Sequence, residues 1–517
     1  MVKFTYSITV FLTFAALAIA GCGGGSSSTS SSDLAALASP GSAVFVEGTL
    51  QPTGELKSNA DALAKKLAGA SNLRDFIVSK LESKAGKEGE PLDFASEVEP
   101  WLGARGSAAF AEAQGGELSE PLIAAEVTNP KAAQDFVEKR SGGSGEPYKR
   151  VSYEGSTFEV GGSEGDAIGT IGNALVLAGS EKEFKAAVDS SSGESLGDES
   201  RFQEAMSSAV KGSLADVYVD VGAIFKQSGD QINSQTRALL EGSGIDASEA
   251  TAVASVIPHA EQVEVDLSSK LGGEKAPSGD ASQLLGTMPA GSVAAFATSG
   301  FGEQLGEAFD SLDEEGVPPE LKPGELKSSL SQAGVDLDKI AASVQDAAVF
   351  VQGTNEKDLG GAMVVTASDS EASEAVASLG TLLRGSGIPG LTAVSGKASG
   401  FSVRSPALGA TPIVVIGKGD RVAIGYGLAP ALVGIEAAGP PLSGTATYKA
   451  AVAALGKTPI SGFVDGPAAL GLAEALVPHS NGEFWEAVPY LKHVSYVGIG
   501  RTSSGETATA KLIAGVK

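Results

Sequence analysis

Apolar and polar residues alternate with two different periods along this chain, and the changes of period predict its elements. Strand-like runs are found at Ala43–Leu50, Ser107–Ala113, Leu122–Thr128, Thr157–Gly161, Ala174–Ala178, Ala215–Val221 and Gln262–Leu267. A period of about 3.6, which is typical of amphipathic helices, is found between them at Asn59–Leu67, Leu73–Ser83, Pro130–Lys139, Glu181–Val188 and Arg201–Val210. The turn at Glu154 and Gly155 is too short for a parallel crossover. The pattern therefore predicts an α+β fold in which mainly antiparallel sheets pack with helices.

Short motifs recur in the same order in the two halves of the chain. Two of these repeats are Val151, Ser152, Ser156, Phe158 and Val160 against Val394, Ser395, Ser399, Phe401 and Val403, and Tyr218, Val219 and Asp220 against Phe463, Val464 and Asp465. A shared order of several matches is hard to obtain by chance. We therefore expect an internal duplication that gives two homologous α+β halves, at residues 33–275 and 288–517, with a linker at residues 276–287.

The amino terminus has the pattern of a secretory signal peptide, which we place at residues 1–21. Lys3 precedes an apolar run from Ile8 to Ala20, and this run is shorter than the roughly 20 apolar residues of a membrane-spanning helix. Residues 22–32 are rich in glycine and serine, and such a composition is typical of a flexible tether.

The residues around the single cysteine resemble the lipobox of bacterial lipoproteins; they are Ile19, Ala20, Gly21 and Cys22. The resemblance implies that the chain is cleaved before Cys22 and that lipid is attached to the Cys22 thiol. We therefore expect a protein that is held on the extracytoplasmic face of the cell membrane by its amino-terminal lipid. The alternative is an ordinary signal peptide with an incidental cysteine.

Composition narrows the class of protein. The chain has 517 residues, of which 42% are apolar, and this is enough for two or more packed domains. Its 63 acidic and 37 basic side chains give a formal net charge of −26. We exclude nucleic acid as a ligand, because its recognition depends on basic side chains that neutralise phosphates. A single cysteine also excludes a disulfide framework and a metal site made of several thiolates.

Three features of the sequence together resemble the domain of unknown function 3352, a family of bacterial envelope proteins. They are the lipobox, the run Glu99, Pro100, Trp101, Leu102 and Gly103 before an apolar strand, and the run Ser39, Pro40, Gly41, Ser42, Ala43, Val44, Phe45 and Val46. The resemblance implies an envelope location and an architecture that covers nearly all of the chain. It implies no activity, and therefore it transfers no site residues.

Residues that carry chemistry are scarce. The three histidines are dispersed along the chain, and we expect neither a metal site nor a cofactor. Asp220 and Asp465 lie at matching strand ends and form the first pair to inspect for a hydrolase, although each could instead be a hydrogen-bonded strand end. We therefore expect a non-enzymatic binding or carrier protein whose ligand is an apolar lipid, an envelope polymer or another protein. The alternatives are an extracytoplasmic hydrolase that uses carboxylates and a structural spacer of the envelope.

Overall fold

A computed structural model describes most of the chain. The described residues are 34–87, 91–111, 113–114, 117–118, 121–143, 148–161, 165–228, 248–270, 279–315, 324–332, 334–368, 370–385, 390–404, 411–436 and 439–517. They form two compact units, the first ending at residue 270 and the second beginning at residue 279. The proposed signal peptide, Cys22 and the tether lie outside the described residues.

The first unit is built on an antiparallel sheet. Its strands are β1 Val44–Thr49, β2 Leu102–Phe110, β3 Ala113–Gln114, β4 Glu117–Leu118, β5 Leu122–Val127, β6 Lys149–Tyr153, β7 Ser156–Gly161, β8 Asp166–Ile171, β9 Ala174–Ala178, β10 Ala215–Asp220, β11 Thr251–His259 and β12 Gln262–Lys270. Strands β3 and β4 pair with each other. The others pair in the order β6-β7-β8-β9-β5-β2-β1-β10-β11-β12. The predicted α+β class with antiparallel pairing is therefore confirmed.

Helices cover both faces of this sheet. They are α1 Gly54–Ala68, α2 Leu73–Lys87, α3 Phe94–Glu97, α4 Pro130–Gly143, α5 Glu181–Ser192, α6 Ser200–Met206 and α7 Val221–Ser228. On one face, Trp101 is fully buried in a cluster with residues of α1, α2, α3 and α4. On the other face, the rings of Phe158 and Phe184 stack with their centroids 4.2 Å apart, which packs α5 against β7.

The second unit is also built on an antiparallel sheet. Its strands are β13 Ala294–Thr298, β14 Val344–Gln352, β15 Gly360–Ala367, β16 Leu391–Val394, β17 Ser399–Val403, β18 Ile413–Lys418, β19 Arg421–Tyr426, β20 Ile460–Asp465, β21 Val494–Ser504 and β22 Thr507–Val516. They pair in the order β16-β17-β18-β19-β15-β14-β13-β20-β21-β22. When each strand is matched to its counterpart in chain order, with the β3–β4 hairpin left out, this is the order of the first unit.

The helices of the second unit begin before its first strand. They are α8 Ser282–Gly286, α9 Phe301–Glu315, α10 Leu326–Gln332, α11 Leu337–Ser343, α12 Glu371–Gly385, α13 Leu428–Glu436, α14 Ala446–Leu455, α15 Gly466–Leu476 and α16 Gly482–Leu491. Helix α8 lies inside the segment that the sequence assigned to the linker. Leu284 and Leu285 of this helix are buried in the core of the second unit, so this unit begins earlier than residue 288. Within the described residues, no helix has both the length and the apolar character that crossing a bilayer requires.

Candidate functional site

Asp220 lies at the end of β10 and caps the helix that follows. Its Oδ1 atom accepts a hydrogen bond of 2.7 Å from the backbone N–H of Ala223 in α7. The Nη2 atom of Arg201 lies 3.1 Å from the same oxygen, and the residue is only 8% exposed. Asp220 is therefore engaged at a helix terminus and in an ion pair.

Asp465 has the corresponding position at the end of β20 in the second unit. Its Oδ1 atom accepts a hydrogen bond of 3.0 Å from the backbone N–H of Ala468 and thereby caps α15. The hydroxyl of Thr447 lies 3.4 Å from the other oxygen. The two carboxylates of the proposed pair thus belong to different units, and each is hydrogen-bonded to the helix that follows its own strand.

The second unit has an open cleft of about 670 Å³ at the start of α9. Small residues form much of its lining, and its charged lining residues are Glu303 and Asp346. Burial raises the pKa of Asp346 above its ordinary value, while a hydrogen bond from the backbone N–H of Gly300 acts in the opposite direction. No group of three or more potential metal ligands is found in the described part of the chain. The charged groups that the cleft offers are therefore two carboxylates.

A larger feature of the second unit is a surface that we call the apolar face. It consists of two adjacent rows of residues that run across neighbouring strands in register. The first row is Leu512, Ile499, Gly462, Phe296, Val349, Met363 and Ile424, and the second row is Ala514, Val497, Val464, Ala294, Val351, Gly361 and Tyr426. Every position is apolar or aromatic, and successive rows lie two residues apart, so that both point to the same side of the sheet.

Much of the apolar face is open to solvent. Phe296 is 42% exposed and Val349 is 41% exposed, while Ile424 and Tyr426 are each 38% exposed. Leu512, at the other end of the first row, is 36% exposed. Single exposed apolar residues are common on proteins, but a contiguous apolar surface marks an interaction site. This surface is therefore the best candidate for a binding site in the described residues.

One half of the row that matches the first row of the apolar face is buried in the first unit, while Leu267, at the other end in the place of Leu512, is 39% exposed. Val46 occupies the place of Phe296 in the strand register and is 8% exposed, and its row continues through Ala108, Ile123 and Leu177. The last three residues are buried in the cluster beneath α1, α2, α3 and α4. In the second unit, residues of α9 and α12 cover only the adjoining part of the same side, where Ala347, Val365 and Val422 lie. The exposure of Phe296 and Val349 thus reflects a difference in the helices that cover the two sheets.

One cation lies at the border of the apolar face. Arg501 follows Ile499 by two residues on β21, so it is on the same side of the sheet. Its Nη2 atom donates a hydrogen bond of 2.5 Å to Oγ1 of Thr298, which follows Phe296 by two residues on β13. Partial burial lowers the pKa of Arg501 below its ordinary value. Within the described residues, no carboxylate forms an ion pair with this guanidinium.

These features define a protein of two α+β units, one of which leaves a sheet face uncovered. The chain belongs to the family described as "Protein of unknown function (DUF3352)", whose model matches residues 11–505. The family resemblance inferred from the sequence motifs is therefore confirmed.

Similarity to other known proteins is low. The structures of crystal forms I and III of TP0453 are similar to 47% of this chain, over 80% and 81% of their own chains. The sequence identities are 15% and 13%, and the TM-scores are 0.26 and 0.25. No curated protein matches the chain.

Sequence reasoning had singled out neither the apolar face nor Arg501. The strands that form the face are apolar at nearly every position, as in Ala294–Ala297 and Ala347–Val351. Such runs are typical of strands that are covered on both sides. A continuous apolar run without a matching helix above it could have drawn attention to the site, but a sequence does not show which helix covers which strand.

Proposed function

We propose that this protein is a non-enzymatic lipid carrier or lipid-binding protein of the cell envelope, and that its apolar face holds the hydrocarbon chain of a lipid. The two apolar rows, in which Phe296, Val349, Ile424, Tyr426 and Leu512 are exposed, carry this proposal. Cys22 would attach the protein by its own lipid to the extracytoplasmic side of the membrane, with residues 22–32 as the tether. The lipid on Cys22 and the lipid on the apolar face are separate parts of the proposal.

The dimensions of the apolar face suit a hydrocarbon chain. Strands in a sheet lie about 4.8 Å apart, so the row from Leu512 to Ile424 spans roughly 29 Å. Covering about 300 Å² of this surface would contribute roughly 7 kcal/mol at about 25 cal/mol per Å². Association costs offset several kcal/mol of that gain. Reversible binding, as carriage requires, follows from this balance.

The chemistry of the apolar face favours a lipid over the other ligands considered. An envelope polymer would need hydrogen-bonding groups, because its sugar hydroxyls and amides lose water on binding. Within the two rows, the hydroxyl of Tyr426 is the one polar side-chain group. A protein partner would bury the same apolar surface. Native mass spectrometry distinguishes a bound protein from a bound lipid by its mass.

We further propose that the two units arose by duplication and then diverged in their helices. The matched strand orders support this view. In the first unit α1 and α2 contribute Ala60, Ala64, Leu73, Ile77 and Leu81 to a core over the sheet. The corresponding helices of the second unit leave Phe296 and Val349 exposed. Duplication followed by the loss of cover would convert a core surface into a binding surface.

Native mass spectrometry of the full chain after gentle extraction from membranes tests the lipid-binding proposal. We expect a co-purifying lipid mass on the wild-type protein and on Val452→Glu, and its loss from Val349→Glu. Val349 is 41% exposed on the apolar face and Val452 is 39% exposed on α14, so the two variants add the same charge at similar exposure. A wild-type protein without lipid, or a protein partner in place of lipid, would overturn the proposal, as would equal loss in the two variants.

A further inference from the structure

Arg501 gives the apolar face a polar end. This inference rests on the proposed lipid-binding function and adds the class of lipid. We infer that Arg501 binds the anionic headgroup of a lipid whose hydrocarbon chain lies along the apolar face. The lipid is thus an amphiphile with one charged end, and the residue that recognises this end is a single arginine at the border of the two rows.

The position of Arg501 is set by the strands beneath it. Strand β20 lies between β21 and β13, so the hydrogen bond from Arg501 to Thr298 crosses β20. Gly462 of β20 has no side chain, and the register of β20 shifts between Ile460 and Gly462. Gly462 itself lies in the row of Phe296 and Ile499, so the guanidinium lies one row further along the strands, at this register shift. The Arg501 side chain extends across the sheet toward β13, the strand that carries Thr298 and Phe296.

The guanidinium retains donors for a ligand. Arginine has five N–H donors in a planar fork that fits the oxygens of a carboxylate or a phosphate. The side-chain bond to Thr298 uses Nη2. A lipid headgroup placed beside Thr298 could accept hydrogen bonds from the remaining donors, while its chain continued over Phe296 and Val349.

The electrostatic setting of Arg501 differs from that of the described arginines of the first unit, whereas Arg384, Arg404 and Arg421 of the second unit likewise form no ion pair with a described carboxylate. Several arginines of this acidic chain form ion pairs, namely Arg74 with Glu99, Arg105 with Glu47, Arg140 with Glu97, Arg150 with Glu159 and Arg201 with Asp220. Arg501 has no such carboxylate among the described residues. The residue is exposed, so an incoming anion can reach the guanidinium without displacing a carboxylate of the described residues.

The matching position of the first unit has no charge. Strand register places Val256 of β11 where Arg501 lies on β21, and Val256 is 3% exposed. A valine is therefore compatible with this place in the strand order. The arginine is found in the unit whose sheet face is uncovered. A charged residue beside an apolar surface is the arrangement expected of a headgroup site.

Calorimetric titration of the full chain with three probes tests the inference. The two probes that are detergents are kept below the concentrations at which they form micelles. Dodecyl phosphate has both the chain and the anion, dodecyl maltoside has the chain without charge, and inorganic phosphate has the anion without a chain. For Arg501→Gln we expect about tenfold weaker binding of dodecyl phosphate, as is typical for loss of a hydrogen bond to a charged group. Binding of dodecyl maltoside should stay within about twofold of wild type. Arg404 is an exposed arginine of the same unit. The control variant Arg404→Gln should leave the affinities for dodecyl phosphate and dodecyl maltoside unchanged.

The outcomes separate this inference from the proposed function. Equal affinity of wild type and Arg501→Gln for dodecyl phosphate would overturn the headgroup role, and the lipid-binding proposal would stand if Val349→Glu still weakened both detergents. Tight binding of inorganic phosphate that is lost in Arg501→Gln would assign the arginine to a free anion and would also overturn the inference. Failure of wild type to bind either detergent would instead overturn the lipid-binding proposal itself.

Discussion

The ring of Phe296 lies over Gly462 on the neighbouring strand. A Cβ atom built on Gly462 would come 2.7 Å from Cδ1 of Phe296 and 3.2 Å from Cβ of Ile499. The two residues are paired in register between β13 and β20. An aromatic side chain that covers a strand glycine shields the backbone there and fills the missing side-chain volume. Gly462 thus fixes the place of the ring that is most exposed on the apolar face.

Replacing Gly462 with alanine should displace the Phe296 ring. We expect Gly462→Ala to lower the free energy of unfolding by about 1 kcal/mol, in the range for an added methyl group that forces a side chain to move. In the background of Phe296→Ala the same substitution should cost much less, because the ring is absent. A double-mutant cycle measured by urea denaturation checks this coupling. Additive effects of the two changes would contradict it.

Two glycines of α9 should respond to alanine in opposite directions. A Cβ atom on Gly302 would lie 2.3 Å from the backbone oxygens of Ala341 and Val344, whereas one on Gly306 would lie 3.6 Å from Cβ of Ala341. We expect Gly302→Ala to lower the free energy of unfolding by about 2 kcal/mol. Gly306→Ala should raise it by up to about 1 kcal/mol through helix propensity. Urea denaturation of the two variants measures both effects, and equal destabilisation would refute the close approach at Gly302.

The carboxylates at the matched strand ends should differ in their contributions to stability. Asp465→Ala removes a helix cap and should lower the free energy of unfolding by about 1 kcal/mol. Asp220→Ala also removes the carboxylate beside Arg201, so we expect a loss of about 2–3 kcal/mol. Chemical denaturation of each variant against wild type gives these values. A larger loss for Asp465→Ala would show that the ion pair adds no stability.

Burial of Asp216 should make stability depend on pH. Burial raises the pKa of Asp216 above the ordinary 3.8, and hydrogen bonds from Ser255 and Ser213 oppose the shift. Their hydroxyls lie 2.5 Å and 2.8 Å from its oxygens. Because the folded-state pKa is the higher one, the protonated form stabilises the fold below the ordinary value, and this stability is lost as pH rises through the folded-state pKa.

The variant Asp216→Asn isolates this effect from other titrations. Relative to the variant, wild type should lose free energy of unfolding over the pH window that begins near the ordinary value of 3.8 and ends above the folded-state pKa. Urea denaturation at several pH values within that window measures the difference. A constant difference between the two proteins, or one that changes with the opposite sign, would contradict the assigned pKa shift.

The sequence predicts the positions of the helices and strands better than it predicts which helices cover which strands. The pattern of Ala174–Ala178 predicts β9 at its observed bounds, and the helix predicted at Glu181–Val188 is α5, which continues to Ser192. Short turns indicate antiparallel pairing because no crossover fits in them. These are local signals, and local signals determine where an element begins and ends.

The apolar face depends on contacts between distant residues. The strand pairings give Val46 and Phe296 matching positions on the same side of their sheets, but their exposures of 8% and 42% depend on helices elsewhere in the chain. Arg501 likewise has no sequence motif, because its partner Thr298 lies on a strand far away in the sequence. Both features become visible only when the strand order is known.

Photo-cross-linking with a phospholipid that carries a diazirine at the end of its acyl chain shows whether a lipid chain lies on the apolar face. The full chain is incubated with this probe, irradiated and digested, and the labelled peptides are identified by mass spectrometry. We expect labels on β13, β14 and β19, at or beside Phe296, Val349 and Ile424. Labels that instead concentrate on the exposed apolar residues of α14, α15 and α16, such as Val452, Leu476 and Leu491, would contradict this expectation.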